Sequence, residues 1–72
     1  MNNDQKKQLD EYLESAMDRY GLEQVLERLA DLARSKEWHV KENWQDNLLA
    51  DRWAEIASAL EVAHEHAREL RL

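Results

Sequence analysis

The apolar residues of this chain recur every three or four positions from Leu9 to Leu70, with two interruptions. That spacing places them along one side of an α-helix and differs from the alternation of a half-buried strand. The interruptions fall at Gly21 and at residues 40–43. The pattern predicts an all-α fold, either a three-helix bundle or a helical hairpin plus a long third helix. We expect a single helical domain over residues 1–72.

The predicted helices span about residues 4–20, 22–39 and 44–70. Only Gly21 separates the first two, and helical hairpins usually need a loop of about 2–5 residues. The first two helices therefore form either a hairpin or a corner, and the sequence leaves both open.

Short polar residues and the single glycine predict where the helices begin and end. Asn3 or Asp4 can cap the first helix, because their side chains accept from a free backbone N–H. Gly21 can end it, since glycine adopts left-handed angles without cost. Asn43, followed three residues later by Asp46, predicts the cap of the third helix.

The third predicted helix is the longest, at roughly 40 Å against roughly 25 Å for each of the others. Its apolar residues follow the alternating steps of a heptad repeat: Leu49, Trp53, Ile56, Leu60, Ala63, Ala67 and Leu70. The rest of the chain looks too short to cover its last third. The sequence therefore predicts a homodimer through helix three, and a small chain without cysteine favours oligomerisation as well.

Three tryptophans stand at or near the second break. Trp53 falls on the heptad positions, and we expect it in the core. Trp44 is predicted to lie in the core or in a hydrophobic staple, whereas for Trp38 the core and the surface stay equally open. If Trp38 and Trp44 are exposed, they form an aromatic contact site for a partner at this turn.

Two histidines flank the Ala63–Ala67 stripe. If that stripe packs against a second chain, His64 and His66 lie at the rim of the interface, where protonation between about pH 5 and 8 would affect association. The alternative is that both are solvated histidines on a surface helix. Their spacing differs from that of helical metal ligands. Glu61 and His64 are spaced for two ligands, but a zinc site would need more from another subunit. We therefore predict no metal site and no cofactor.

Composition excludes several classes of protein. A net charge of −6 and a pI near 4.9 disfavour direct nucleic-acid binding, which needs clustered Lys and Arg. Residues 1–5 lack the basic start and the apolar stretch that are typical of a secretory signal, and no apolar run reaches ~20 residues. We therefore expect a cytoplasmic protein without a membrane segment. It has no glycine-rich loop and no nucleophile elbow, and we predict that it is not an enzyme.

Several short segments carry a resemblance to known sequences: Tyr20-Gly21-Leu22, Val25-Leu26-Glu27, Asn43-Trp44-Gln45-Asp46, Leu49-Ala50 and Trp53. Over residues 20–60 the chain resembles a group of short uncharacterised helical proteins of bacteria and phages. The resemblance implies a small all-helical fold and no assigned activity, so it transfers no functional residue.

The sequence as a whole predicts a small acidic protein–protein interaction module, acting as an adaptor, regulator or inhibitor. Acidic rows would steer a basic partner toward it. The predicted contact residues are Trp38, Trp44, Ala63, His64, His66, Ala67 and Leu70. Two alternatives remain: an acidic mimic of nucleic acid that inhibits a DNA- or RNA-binding protein, and a subunit of a metal-dependent assembly.

Overall fold

In a computed structural model that describes all 72 residues, the chain forms three α-helices and no strand, which confirms the all-α prediction. The helices are α1 (Asn3–Tyr20), α2 (Leu22–His39) and α3 (Asn47–Glu69), and a π-helical turn at Val40–Trp44 joins α2 to α3. α2 and α3 pack as an antiparallel hairpin, whereas α1 contacts α2 but does not reach α3. None of the helices is long and apolar enough to cross a membrane.

The junction between α1 and α2 is a corner built on Gly21. Its φ of 86° and ψ of 153° lie in a region that is essentially restricted to glycine. A Cβ at this position would lie 3.1 Å from the main-chain oxygen of Leu72. That oxygen accepts a 2.7 Å hydrogen bond from the N–H of Leu22. Leu72 therefore satisfies one of the free donors at the start of α2, which has no side-chain cap.

Replacing Gly21 by alanine should lower the free energy of unfolding by about 1–3 kcal/mol, because the backbone is strained for any other residue. The added methyl group would also crowd Leu72. Urea denaturation followed by circular dichroism measures the change. Lys36→Ala, at an exposed position of α2 away from the corner, is the matched control and should stay close to the parent. A Gly21→Ala chain as stable as that control would show that the corner is not fixed.

The predicted cap of α1 is wrong by one residue. Asn2 is the cap: its Oδ1 accepts from the N–H of Gln5 at 2.8 Å, and the Gln5 side chain accepts from the N–H of Asn2 at 3.0 Å. This reciprocal pair needs Glu or Gln three residues after the cap. Asn3 and Asp4 are followed at that distance by lysines, so neither can form it.

The predicted cap of α3 is also displaced. Asn43 lies inside the π turn, where its side-chain amide contacts Nδ1 of His39 at 2.9 Å. The turn ends at Gln45, which has a φ of 52°. Asp46 then caps α3 by accepting from the N–H of Leu49 at 3.0 Å. The third helix thus begins three residues later than the predicted residue 44.

The hairpin core consists of small side chains. The buried residues are Ala30, Ala33, Val40, Ala50, Ala57 and Ala67, and no large side chain is fully buried. On α3 the least exposed positions follow a heptad pattern that starts at Ala50 and Ala57. The predicted positions at Leu49, Ile56 and Ala63 are therefore one residue out of phase, and Ile56 is 53% exposed. Alanines at the contact let two helix backbones approach closely, which moves the larger residues to the edges.

The prediction that the last third of helix three is left uncovered by its own chain is wrong. Ala67 is only 4% exposed, because the first turns of α2 pack over it. Beyond it the chain turns back through Arg71, whose φ is 60°, and the N–H of Leu72 donates to the carbonyl oxygen of Ala67 at 2.9 Å. This is the bonding of a Schellman motif, and it brings Leu72 to the start of α2.

Candidate functional site

Most of the apolar side of α1 is left uncovered by the rest of the chain. None of its residues is buried. Five residues form this side, which we call the α1 face: Leu9, Tyr12, Leu13, Met17 and Tyr20. Most of the stability of a helix in a protein comes from packing of its apolar side, and α1 lacks that packing over most of its 18 residues. The α1 face therefore identifies the surface of this molecule that most needs a partner.

An open apolar groove of about 620 Å³ continues the α1 face across the corner. We call it the elbow groove. Ala16 and Tyr20 line it from α1, and Val25, Leu29 and Leu32 line it from α2. The last three follow helical spacing on a side of α2 that does not face α3. α2 therefore has two apolar sides, of which α3 covers only one.

The chain is too open for a stable compact monomer of its size. Its accessible surface is 6050 Å², whereas a compact protein of 8.6 kDa exposes about 4,700 Å². Its Cα radius of gyration is 14.2 Å against about 11 Å expected for a compact chain of this length. The excess of about 1,300 Å² corresponds to surface that a globular chain of this size would bury.

The tryptophans lie differently from the prediction. Trp44 is 65% exposed, so its assignment to the core or to a staple is wrong. It sits in the π turn with its ring edge toward His39, at 6.2 Å between ring centroids. Trp38, in the last turn of α2, is also exposed, and Trp53 is only half-buried. The turn of the hairpin therefore presents two exposed indole rings, at the end of the hairpin opposite Gly21.

The predicted contact residues of α3 do not form one surface. Ala67 is buried against α2, and His64 and Ala63 are half-buried on the same side of the helix. His66 and Leu70 are exposed and point away from it. His64 thus occupies a core heptad position of the hairpin, and its predicted place at the rim of a dimer interface is wrong.

His64 meets two carboxylates from α2. Its Nε2 lies 3.4 Å from Oε1 of Glu23 and 3.5 Å from Oε2 of Glu27. The ligand-type atoms of these three residues, which we call the Glu–Glu–His cluster, all lie within 4.8 Å of one another. The His64 side chain is 16% exposed, and its Nε2 is shielded from solvent without a hydrogen-bond partner.

Glu61, the predicted companion of His64, is instead bonded to Arg34. The Nε of Arg34 donates to Oε1 of Glu61 at 2.9 Å, and its other nitrogens reach Ser58 and Glu37. The hydrogen bond from Arg34 lowers the pKa of Glu61, and its partner carboxylates raise the pKa of Arg34. This ion pair links the middle of α2 to α3.

Glu61→Gln should destabilise the hairpin at neutral pH and lose that effect in acid. Since the folded pKa of Glu61 is lowered, its ion pair stabilises the fold above the ordinary glutamate pKa of 4.5 and is lost as pH falls below it. The difference in Tm between variant and parent should therefore shrink to zero in that range. Glu55→Gln, an exposed glutamate without an ion pair, should show no such pH-dependent difference. A pH-independent difference for Glu61→Gln would contradict the ion-pair assignment.

These features define an alanine-lined helical hairpin that carries an uncovered amphipathic helix. Comparison with protein-family models, curated proteins and solved structures found no match to this chain. The functional argument therefore depends on the residues themselves.

Sequence reasoning missed both the α1 face as a contact surface and the Glu–Glu–His cluster. The spacing of Leu9, Leu13 and Met17 was visible, but it was assigned to packing within the chain. Glu23 and Glu27 are four residues apart in the first turns of α2, as helical ligand pairs are. Only the register between α2 and α3, which the sequence does not show, brings His64 beside them.

Proposed function

We propose that this chain is a small protein–protein interaction module, of the adaptor, regulator or inhibitor kind, and that it forms a homodimer through the α1 face. One observation carries the proposal: α1 is an amphipathic helix with no buried residue. Covering its apolar side is favourable by roughly 25 cal/mol for each Å² removed from water. The proposal keeps the homodimer that the sequence predicts, but it places the interface on α1 instead of on helix three.

The area available fits a second copy of the chain. An excess of about 1,300 Å² per chain gives about 2,600 Å² for a pair, within the range of about 2,000–5,000 Å² for obligate homodimers. Antiparallel pairing suits part of the charge pattern of α1. Lys6 and Lys7, the two cations in the first half of the helix, would lie near Glu14 and Asp18 in the second half of the partner helix.

Antiparallel pairing also covers the elbow groove. The first half of one α1 would lie along the second half of the other, where the groove is lined by Val25, Leu29 and Leu32. Each α2 would then gain a helix on its second apolar side, and a three-helix arrangement would be completed between chains. Trp38 and Trp44 would stay free at the far end of each hairpin. We expect that aromatic pair to contact the protein partner, in the cytoplasm as the sequence predicts.

Sedimentation velocity of the purified chain tests this proposal. We expect a species of twice 8.6 kDa across about 1–100 µM, with dissociation only at the lowest concentrations. A species of 8.6 kDa throughout that range would overturn the homodimer.

The acidic nucleic-acid mimic is supported less well than the interaction module. Glu61 is paired with Arg34, and Glu65 lies 3.9 Å from Arg68. The acidic row on α3, which consists of Glu61, Glu65 and Glu69, is therefore interrupted by cations at two of its positions. A mimic of a phosphate backbone needs an unbroken negative surface.

A further inference from the structure

We propose that the Glu–Glu–His cluster binds a divalent transition-metal ion, for which zinc is the best fit. The three residues come from two helices: Glu23 and Glu27 from the first turns of α2, and His64 from the last turns of α3. The site stands apart from the α1 face, so it neither depends on the homodimer nor supports it.

The spacing of the ligand atoms matches a tetrahedral ion. Bonds of about 2.0–2.2 Å at tetrahedral angles place neighbouring ligand atoms about 3.4 Å apart. The Nε2 of His64 lies 3.4 Å from the Glu23 oxygen and 3.5 Å from the Glu27 oxygen. A direct hydrogen bond between an imidazolium and a carboxylate is shorter, at about 2.7–2.9 Å. The two separations from Nε2 therefore fit ligands around a shared ion better than direct hydrogen bonds.

The orphaned nitrogen of His64 is a second, independent observation. Nε2 is shielded from solvent, has no hydrogen-bond partner and faces two carboxylates. On the other side of the ring, Nδ1 lies 3.7 Å from Oε1 of Glu65. The tautomer with the proton on Nδ1 would leave the Nε2 lone pair free as a ligand. A metal ion between Nε2 and the two carboxylate oxygens would then satisfy all three groups.

The donor set selects the class of metal. One imidazole and two carboxylates suit zinc and its neighbours, whereas magnesium and calcium prefer oxygen ligands alone. Three protein ligands leave a fourth tetrahedral position for solvent. An ion here would join the open end of the hairpin, close to Gly21 and Leu72, and would offset the repulsion between Glu23 and Glu27, which lie one helical turn apart.

Isothermal titration of the metal-free full chain with zinc chloride at neutral pH tests the site. We expect one zinc ion per chain and a rise in Tm on binding. His64→Gln should weaken binding by at least about tenfold, and Glu27→Gln should do so while leaving the imidazole in place. The circular dichroism spectrum of both variants checks that the fold is kept. The Nε2 resonance of His64 should shift on addition of zinc in the parent chain.

His66→Gln is the matched control, since His66 lies on the same helix but is 77% exposed. Its zinc affinity should equal that of the parent. Four results would overturn the proposal: no saturable binding of zinc, an equal loss in His64→Gln and His66→Gln, one ion per two chains, or equal binding of magnesium.

Discussion

A chain with Leu13 replaced by glutamate should sediment as a monomer at concentrations where the parent is a dimer. Leu13 lies at the centre of the α1 face, and each dimer would lose two buried leucines. At about 1.5–3 kcal/mol for each buried side chain, the loss is about 3–6 kcal/mol per dimer. The dissociation constant should therefore rise by about 100-fold or more. Because the apolar side of α1 would then be exposed to solvent in the monomer, the helicity of α1 should also fall, and circular dichroism measures that loss.

Gln8→Glu adds the same charge to α1 outside the apolar face and serves as the control. Gln8 is exposed, so this variant should keep the mass of the parent dimer. If Leu13→Glu stays dimeric, the contact between chains lies elsewhere and the proposed interface is wrong. If both variants dissociate, the negative charge of α1, rather than its apolar side, controls association.

Replacing Ala57 by leucine should destabilise the hairpin by about 1–3 kcal/mol, because the extra carbons have no space between α2 and α3. Ala57 is the one residue with no exposed surface at all. For a domain of this size each kcal/mol changes Tm by about 4–8 °C. Thermal unfolding at one fixed protein concentration gives the comparison, since dimerisation makes Tm depend on concentration.

Ala59→Leu is the matched control for this substitution. Ala59 lies two residues further along α3 and is exposed, so the same enlargement should change stability little. An Ala57→Leu chain as stable as Ala59→Leu would show that the two helices are not held in close contact, and the alanine-lined core would be the wrong description.

The sequence predicted the helices well because local interactions determine where they form. The spacing of apolar residues and the single glycine placed α1 and α2 within one residue of their observed limits. The start of α3 was less accurate. The π turn and the left-handed backbone of Gln45 depend on how the chain reverses between α2 and α3. The presence of Asn43 in this segment does not indicate that conformation.

The side on which α3 packs was not predictable from periodicity alone. The heptad pattern predicted from Leu49 and Ile56 differs by one residue from the observed pattern at Ala50 and Ala57. The prediction favoured the pattern with the larger apolar side chains. Alanine is ambiguous in such a pattern, because it occurs at helix contacts and on exposed surfaces. The direction of α1 is set at Gly21, which lies against Leu72, and the hydrogen bond from Leu22 to Leu72 joins residues that are distant in sequence.

The two apolar sides of α2 have a consequence for which substitutions the protein tolerates. In the proposed dimer, α2 would be enclosed by helices from both its own chain and its partner. Few of its positions would then vary freely, with Asp31, Ser35 and Lys36 among those facing solvent. The outer sides of α1 and α3 would accept most changes. Libraries built on this scaffold should therefore place their diversity on the flanking helices and leave the middle one unaltered.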